Sequence, residues 1–373
     1  MATDSLGLYV HIPYCVRKCS YCDFCSLPNG MNDVPDEYVD AVCTELSSYS
    51  SDVRKTLNTV YFGGGTPSLL SGSQMGKIVS RIKDIFDIAP NAEITFEANP
   101  GTLSVEKAYA YKSLGFNRVS LGLQSIHEKE MKKLGRIHNF ADFLSSFESL
   151  RQAGFDNINV DLMYGIPYQT KESFSDTLNT LVSLSPEHIS SYGLILEEGT
   201  PMFSEKESLV LPTQDEECDM YDLCRDTLAK AGYEHYEISN YAKPGKRSRH
   251  NSLYWNLSEY IGIGAAAHSY LDGVRYYNTD EVDEYISSAL AGRFNRLESD
   301  VDEPFEYVML KLRLSDGFLL SEYEERFKRS FLNGREEILD KLRAQKLLKI
   351  DNGRLTLTEE GFYLSNSILV EIL

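Results

Sequence analysis

Three cysteines near the start of the chain are the residues most able to do chemistry. Cys15, Cys19 and Cys22 follow a C-x₃-C-x₂-C spacing, and soft thiolates this close together can hold one iron–sulfur cluster. Because a cubane cluster has four irons, three cysteines leave one iron open, and an open metal position is how metal sites admit a substrate. A zinc loop and incidental cysteines are the alternatives, but zinc normally takes a fourth cysteine or histidine at matching spacing, which locally only Cys25 could supply. The spacing favours a cluster with an open iron that does not require Cys25.

A glycine-rich turn is the second chemical feature. The string 63–67, Gly-Gly-Gly-Thr-Pro, directly follows an apolar segment, 58–62, that we predict to be a strand. Glycines let the backbone approach a ligand closely, and Thr66 adds a hydroxyl. A simple tight turn is the alternative, but the cysteines earlier in the chain favour a ligand site.

Polar side chains also stand at the ends of later strand-like segments. Glu97 ends one such segment, and Gln124, Arg136 and Asp161 lie on or just beyond the next two. Asp161 interrupts an apolar pattern typical of a buried strand, and a buried acid needs a ligand or an arginine as partner. Arg136 is a candidate for either role, and a solvated loop-end carboxylate is the alternative for Glu97.

Strand-like and helix-like segments alternate up to about residue 232. Six strand-like segments are each followed by a segment with helical spacing of apolar residues, which implies parallel strands joined by right-handed crossovers. Functional side chains at strand ends favour a barrel-type α/β sheet, and six units instead of eight predict a partial (β/α)₆ barrel. The predicted strands are 6–12, 58–62, 92–97, 117–123, 157–162 and 188–196.

The last stretch of the chain changes character. Three helical segments precede two short strands around the turn 351–353, Asp-Asn-Gly, which is a small, mainly helical, winged-helix-like pattern. Many such domains bind DNA, but this one has 11 basic and 16 acidic residues, net −5. We expect a packing or partner domain, with nucleic-acid binding as the alternative. The predicted domains are a barrel over 1–232, a connecting segment over 233–296 and the C-terminal domain over 297–373.

Composition narrows the class of protein. The 373 residues carry a formal net charge of −19 and are 42% hydrophobic, so they can build a sizeable core, and we expect no non-specific nucleic-acid binding. The sequence has no apolar run long enough to span a membrane and no basic stretch followed by an apolar one at its N-terminus. Seven cysteines, four of them clustered, argue against a disulfide framework. These features predict a soluble protein of the cytoplasm.

The cysteine spacing and its flanks, 9–14 and 23–24, resemble the radical S-adenosylmethionine (SAM) superfamily. The resemblance implies a [4Fe–4S] cluster on the three cysteines, whose free iron chelates the amino and carboxylate groups of SAM. It also implies that the turn 63–67 contacts the methionine amino group, and that Glu97 accepts two ribose hydroxyls.

Further strings narrow the resemblance to oxygen-independent coproporphyrinogen III oxidase and its relatives, over nearly the whole chain. The strings are YVHIP at 9–13, FGGGTP at 62–67, GLQS at 122–125 and DLMYGIP at 161–167. By this resemblance Tyr9, Gly64 and Glu97 contact the cluster-bound SAM. A second group, which in the oxidase serves a second SAM, lines the pocket: Tyr21, Gly65, Thr66, Gln124, Arg136, Asp161 and Ile195.

This sequence departs from that of the oxidase at three places, and these differences imply another function. Eight residues precede Tyr9, where the oxidase has a longer extension, and Cys25 follows Cys22 by three places instead of two. The string 250–255, H-N-x-x-Y-W, is similar to the signature of the HemW group of heme chaperones. This resemblance implies a protein that binds heme as cargo and hands it to a recipient hemoprotein, for example a respiratory one.

His250 in that string is a candidate heme ligand, because imidazole is a common axial ligand of heme iron. Tyr254 and Trp255 could pack on the porphyrin face. The basic residues Lys243, Lys246, Arg247 and Arg249 could pair with the propionates, and a solvated basic loop is the alternative.

The alternative function is an enzyme, a SAM-dependent coproporphyrinogen III dehydrogenase. A winged-helix regulator with a redox cluster is a third function, disfavoured by the acidity.

The string 262–267, G-I-G-A-A-A, matches a dinucleotide-binding fingerprint in its residue types but not in its predicted structural context. Such a fingerprint must follow a strand and open a helix. The preceding segment, 256–260, is polar and without alternation. We interpret the string as close packing of small residues.

Overall fold

Six parallel strands form the centre of this computed structural model, which describes residues 6–28, 30, 33–50, 54–294 and 296–373. Each strand lies beside the one before it in sequence, so the predicted α/β partial barrel is confirmed. Residues 1–5 of the predicted barrel domain lie outside the described part. The barrel strands, labelled β1 to β6, are Leu6–Ile12, Thr56–Gly64, Asp87–Ala98, Arg118–Gln124, Ile158–Tyr164 and His188–Gly193.

Amphipathic helices connect the barrel strands. Gly72–Ile85 is an example: a capping box between Ser71 and Gln74 begins it, and one face of apolar side chains, including Met75 and Ile78, is buried. The principal helices up to the connecting segment are Asp36–Ser47, Gly72–Ile85, Val105–Leu114, Glu128–Lys133, Phe140–Gln152, Lys171–Leu184, Pro201–Ser204 and Gln214–Lys230.

The connecting segment extends the barrel sheet at both edges. Tyr260–Ile263 pairs in parallel with β1, an arrangement that the polar segment before it did not predict. A turn and not a helix follows this strand, and a Cβ on Gly264 would lie 2.7 Å from the Tyr38 hydroxyl. Close packing of small residues is therefore the better account of the G-I-G-A-A-A string. The remaining strands that the connecting segment adds are Glu234–Glu237, Asn240–Ala242, His268–Leu271 and Val274–Tyr277, and Leu297–Ser299, just beyond the segment, pairs with the last of these.

One short helix covers the end of the barrel at which the strands begin. Arg249–Trp255, called here the floor helix, contains the H-N-x-x-Y-W string. Its first two N–H groups donate to the buried carboxylate of Glu93 at 3.0–3.1 Å, a favourable position for an acid. A Cβ on Gly7 would lie only 2.5 Å from Leu253 of this helix. Because Gly7 is near the start of β1, the floor helix seals the amino ends of the barrel strands.

The C-terminal part has a hydrophobic core of its own, which includes Tyr307, Phe318 and Tyr323. The hairpin predicted around the turn 351–353 is present, with Asp351 opposite Arg354. No helix in the described parts of the chain is long and apolar enough to cross a membrane. The strands are Phe318–Leu319, Leu348–Asp351 and Arg354–Leu357, and the helices from the connecting segment onward are Val282–Leu290, Glu303–Lys311, Leu320–Phe327, Glu336–Ala344, Glu359–Tyr363 and Ser365–Ile372.

Candidate functional site

A cavity of about 440 Å³ opens at the carboxyl ends of the barrel strands, which is the usual size of a small-molecule site. Alternate residues of the strands form its wall, because every second side chain of a strand points to the same face. In β4, for example, these are Arg118, Ser120, Gly122 and Gln124. The residues predicted to hold the cluster and SAM line this cavity except Tyr9, whereas His250 and the other residues predicted to contact heme do not line it. Those that line it are Cys15, Cys19, Tyr21, Cys22, Gly64, Gly65, Thr66, Glu97, Gln124, Arg136, Asp161 and Ile195.

The three cysteines predicted to hold a cluster lie at the mouth of the cavity. The Thr66 hydroxyl donates to Cys15 Sγ at 3.4 Å, and the Arg136 guanidinium donates to Cys19 Sγ at 3.6 Å. Burial raises the pKa of the Cys15 and Cys22 thiols. Among the described residues, no three His, Cys, Asp or Glu side chains are gathered as ligands of one metal ion. A cubane takes each cysteine on a different iron, so its sulfurs need not converge on one point. That these three cysteines hold such a cluster stays a prediction.

Cys25 faces away from the other three. Its thiol donates to the Asp280 carbonyl at 3.4 Å, and its own carbonyl accepts the Nε2–H of His11 at 2.9 Å. It is not one of the residues that line the cavity. That a cluster does not need Cys25 stays a prediction, and this placement supports it.

The glycine turn is packed directly against the cysteine loop. Gly64 has a φ of 111°, and a Cβ there would lie 2.5 Å from the His11 ring, so both the backbone and the space require glycine. Gly65 donates its N–H to the Ile12 carbonyl at 2.8 Å. The Asn99 amide donates to the Thr66 hydroxyl at 2.9 Å. Turn and loop together form one continuous wall of polar backbone beside the thiols.

Glu97 is a partly buried carboxylate with a protein donor on each oxygen. The Tyr61 hydroxyl donates to Oε1 at 2.8 Å, and the Gly64 N–H donates to Oε2 at 3.1 Å. Burial raises its pKa to about 7, although the bond from Tyr61 lowers it. Since a carboxylate oxygen can accept more than one hydrogen bond, Glu97 retains capacity for two ligand hydroxyls. A solvated loop-end carboxylate does not describe this environment.

Asp161 is held by neutral donors. The Asn159 amide donates to it at 2.7 Å and the Ser120 hydroxyl at 3.0 Å. The Arg136 guanidinium instead donates to the Gly122 carbonyl at 2.8 Å. Of the two roles predicted for Arg136, the structure shows no hydrogen bond or ion pair with Asp161, and contact with a ligand remains as a prediction.

Gln124 and Ile195 mark two further parts of the cavity. Gln124 has a φ of 69° beside an irregularity in the β4–β5 register, a conformation uncommon for a residue with a side chain and often found at functional sites. Ile195 lies at the mouth with Phe24 and Ile137, and these three apolar side chains are 68%, 65% and 58% exposed. The mouth is therefore apolar at its edge and polar within.

Tyr9 and His250 lie below the cavity. His250 is 1% exposed, with its Nδ1 2.7 Å from the Thr59 hydroxyl and its Nε2 2.8 Å from the Tyr254 hydroxyl. Burial lowers its pKa to about 3, so the ring is neutral. The Tyr9 hydroxyl bonds to the Nδ1 of His11 at 3.0 Å. Heme ligation by His250 stays a prediction, and it would require the ring to leave both of its partners.

The basic residues near the floor helix bind the protein itself. Arg247 forms ion pairs with Glu234 and Asp316. Lys243, Lys246 and Arg249 donate to the carbonyls of Ser185, Asp156 and Asn91. These bonds fasten the chain ahead of the floor helix to the rest of the protein, and pairing with heme propionates stays a prediction.

The structure adds residues that sequence reasoning did not select. Asn251, next to His250 in the floor helix, lines the cavity, as do Tyr61, Arg118 and His138. Strand alternation could have found Tyr61, which lies two places before Gly63, and Arg118, which lies two before Ser120. The H-N-x-x-Y-W string contains Asn251, but the string alone does not show that this side chain reaches the cavity, which depends on the placement of the floor helix.

Some, though not most, of the buried polar atoms that lack partners line this cavity. They include Ser26 Oγ, Arg118 Nε, Arg136 Nε and His138 Nε2, which have no hydrogen-bond partner among the described residues. Leaving such an atom unpaired costs about 1–3 kcal/mol, so their convergence indicates a polar ligand or ordered water. With thiols at the mouth and unpaired polar atoms inside, the residues present fit an iron–sulfur cluster and a polar cofactor such as SAM.

Comparison with known proteins shows which families and which solved structure the chain resembles. Residues 9–181 match the radical SAM superfamily, and residues 299–364 match the HemN C-terminal domain. In solved structures, coproporphyrinogen III oxidase (HemN) from Escherichia coli, a radical SAM enzyme, superposes with a TM-score of 0.86. It is 21% identical and covers 99% of this chain and 90% of that one, a likeness that shows the fold.

Curated relatives called heme chaperone HemW are similar along most of the chain. The Lactococcus lactis protein is 38% identical over 98% of this chain and 96% of its own length. The Bacillus subtilis protein is 36% identical over 96% and 97%, and the Escherichia coli protein 37% over 84% and 83%. The chain therefore belongs to the HemW family within the radical SAM superfamily.

Proposed function

We propose that this protein is a heme chaperone that carries a [4Fe–4S] cluster and SAM, and that it hands heme to a recipient hemoprotein in the cytoplasm. Cys15, Cys19 and Cys22 would hold the cluster. When bound, a cluster of this type supplies an open iron and electrons to SAM. Glu97 would accept the ribose hydroxyls of SAM, and the turn 63–67 would contact its methionine end.

Near-full-length similarity to proteins named heme chaperone carries the heme part of this proposal. The geometry supports it at the cavity mouth, where Phe24, Ile137 and Ile195 are exposed together. Exposed apolar side chains grouped at one opening are typical of a binding surface. A porphyrin is flat and largely apolar, so it could cover such an edge.

Coproporphyrinogen III dehydrogenase is the alternative, and one observation favours it. The residues that resemble those around the oxidase's second SAM, among them Tyr21, Gln124 and Asp161, all line this same cavity. The relatives named heme chaperone make the first function the better supported one.

Heme titration of the anaerobically reconstituted protein tests the proposal. We expect one heme per chain, followed by transfer to an added apo-hemoprotein, read from the shift of the heme absorbance band. Ile195→Ser should weaken heme binding because it removes apolar surface from the mouth. Val370→Ser, at an 83% exposed position of the C-terminal helix Ser365–Ile372, is the matched control. Heme binding that is absent, or equal in both variants and non-stoichiometric, would contradict the proposal.

A further inference from the structure

The floor helix has no part in the proposed function, although it carries the string most characteristic of the sequence. Its imidazole, His250, lies parallel to the Tyr61 ring, with centroids 5.0 Å apart and planes 22° apart. This distance is within the range of favourable ring contacts. The next residue of the floor helix, Asn251, lines the cavity. The helix is therefore in contact with the cavity floor at two neighbouring residues.

Tyr61 connects this floor to Glu97. Its hydroxyl donates to Glu97 Oε1 at 2.8 Å while its ring rests on His250. Space around the tyrosine is limited, because a Cβ on Gly63 would lie 2.9 Å from the Tyr61 ring and 3.1 Å from Glu97 Oε1. A displacement of the Tyr61 ring would therefore move the donor that fixes the carboxylate.

His250 is itself held on every side. Its Nδ1 lies 2.7 Å from the Thr59 hydroxyl and its Nε2 lies 2.8 Å from the Tyr254 hydroxyl. Its backbone N–H donates to Glu93 at 3.0 Å. A side chain with both ring nitrogens occupied and its ring buried is built to support a neighbour.

We propose that the floor helix positions the SAM-binding glutamate, with the His250 ring supporting Tyr61 and the Tyr61 hydroxyl orienting Glu97. His250 is in this view a positioning residue that contacts no ligand. The inference rests on the proposed function in one respect, since it takes Glu97 to be the acceptor of the SAM ribose hydroxyls.

The pKa of Glu97 distinguishes the two possible roles of His250. It would change if His250 positions Tyr61, and it would not change if His250 only stabilises the fold. The groups that act on this carboxylate are Tyr61 on β2, Arg118 on β4, Asp161 on β5, Tyr9 on β1 and Tyr254 on the floor helix. Burial raises the pKa of Glu97 to about 7, and the Tyr61 bond opposes that rise. If the Tyr61 donor moves away, the pKa rises further, and SAM binding that needs the carboxylate shifts to higher pH.

The test is a calorimetric titration of SAM into the reconstituted protein between pH 6 and pH 9. We expect Tyr61→Phe and His250→Ala each to weaken SAM binding about tenfold at pH 7, the loss of one hydrogen bond to a charged group, and to move the pH midpoint upward. His250→Phe keeps a ring against Tyr61 and should bind SAM within about twofold of the wild type. The bonds that it loses are to neutral hydroxyls, and such bonds are weaker than the bond from Tyr61 to the Glu97 carboxylate. His250→Gln removes the ring but keeps a polar group, and it should behave as His250→Ala even if the alanine variant does not fold.

Control variants separate this inference from the proposed function. His235 stacks on Tyr241 with centroids 4.4 Å apart, away from the cavity lining, so His235→Ala should leave SAM binding unchanged. Glu97→Gln tests the proposed function alone: SAM binding unaffected by it would remove Glu97 from the site. If Glu97→Gln weakens binding but His250→Gln does not, or if His250→Phe weakens it as much as His250→Gln, the positioning role is overturned.

Discussion

The cavity mouth and the floor helix both contain buried polar side chains, but these differ in whether their polar atoms are hydrogen-bonded. At the mouth, Arg136 Nε and His138 Nε2 are buried without hydrogen-bond partners among the described residues, and the cysteine thiols form no disulfide. At the floor, both nitrogens of His250 are bonded, and Glu93 accepts the first N–H groups of the floor helix. Buried polar groups are normally paired, so the unpaired atoms that line the cavity favour a polar ligand there. Unpaired atoms such as Trp255 Nε1, at the end of the floor helix, do not line it. The difference indicates that ligands bind at the mouth and that the floor supports them.

The largest effect is expected from the mouth cysteines. Cys15→Ala, Cys19→Ala and Cys22→Ala should each abolish the cluster, because each removes one of three protein ligands. Iron and sulfide content after anaerobic reconstitution measures this. Cys25→Ala is the control, since its thiol faces the Asp280 carbonyl. A cluster lost in Cys25→Ala but kept in Cys22→Ala would contradict the assignment of the mouth.

Glu97 should also make stability depend on pH. Its pKa is raised from 4.5 to about 7 by burial, so the folded state binds the proton more tightly than the unfolded state. Stability is then greatest below pH 4.5 and falls as pH rises through about 7, by about 3 kcal/mol for one such group. Urea unfolding at pH 5 and pH 8 measures the fall. Glu97→Gln should remove most of it, and an equal fall in the variant would show that Glu97 is not the group responsible.

Removal of the Glu97 side chain should weaken SAM binding without disturbing the cluster. Glu97→Ala removes a charge-assisted hydrogen bond, about 1.5–3 kcal/mol or roughly one to two decades of affinity. A calorimetric titration on the variant, with its iron content checked, gives the value. Asp142→Ala is a suitable comparison, because that carboxylate caps the helix Phe140–Gln152 outside the cavity. An unchanged affinity in Glu97→Ala would place SAM elsewhere.

The smallest effect is expected for heme at the floor. His250→Phe removes both ring nitrogens, but these already bond to Thr59 and Tyr254, so we expect the heme affinity to change less than about twofold. Absorbance titration measures both the affinity and the position of the heme band. The sequence predicts the reverse for His250→Ala, a weaker heme complex with a shifted band. Such a shift in His250→Phe would make His250 a ligand and remove the contrast between mouth and floor.

The sequence predicted the mouth better than the floor for a physical reason. Strand ends and turns are local features, so the cysteine loop, the turn 63–67 and Glu97 could be placed on one sheet edge from periodicity alone. The partners of His250 come from β2 and from the floor helix itself, and Glu93 on β3 holds the helix start. Such contacts depend on the path of the connecting segment, which has no regular pattern. The neutral donors to Asp161 were missed similarly, because Asn159 and Ser120 are ordinary strand residues.

We propose that this radical SAM protein carries heme and does not decarboxylate a porphyrinogen. Anaerobic incubation of the reconstituted protein with coproporphyrinogen III, SAM and a reductant tests it most directly, with released CO₂ as the readout and SAM cleavage recorded in the same sample. We expect no CO₂ above the protein-free control while the same preparation binds one heme per chain. Sustained CO₂ release, lost in Cys19→Ala, would contradict the claim and establish the dehydrogenase.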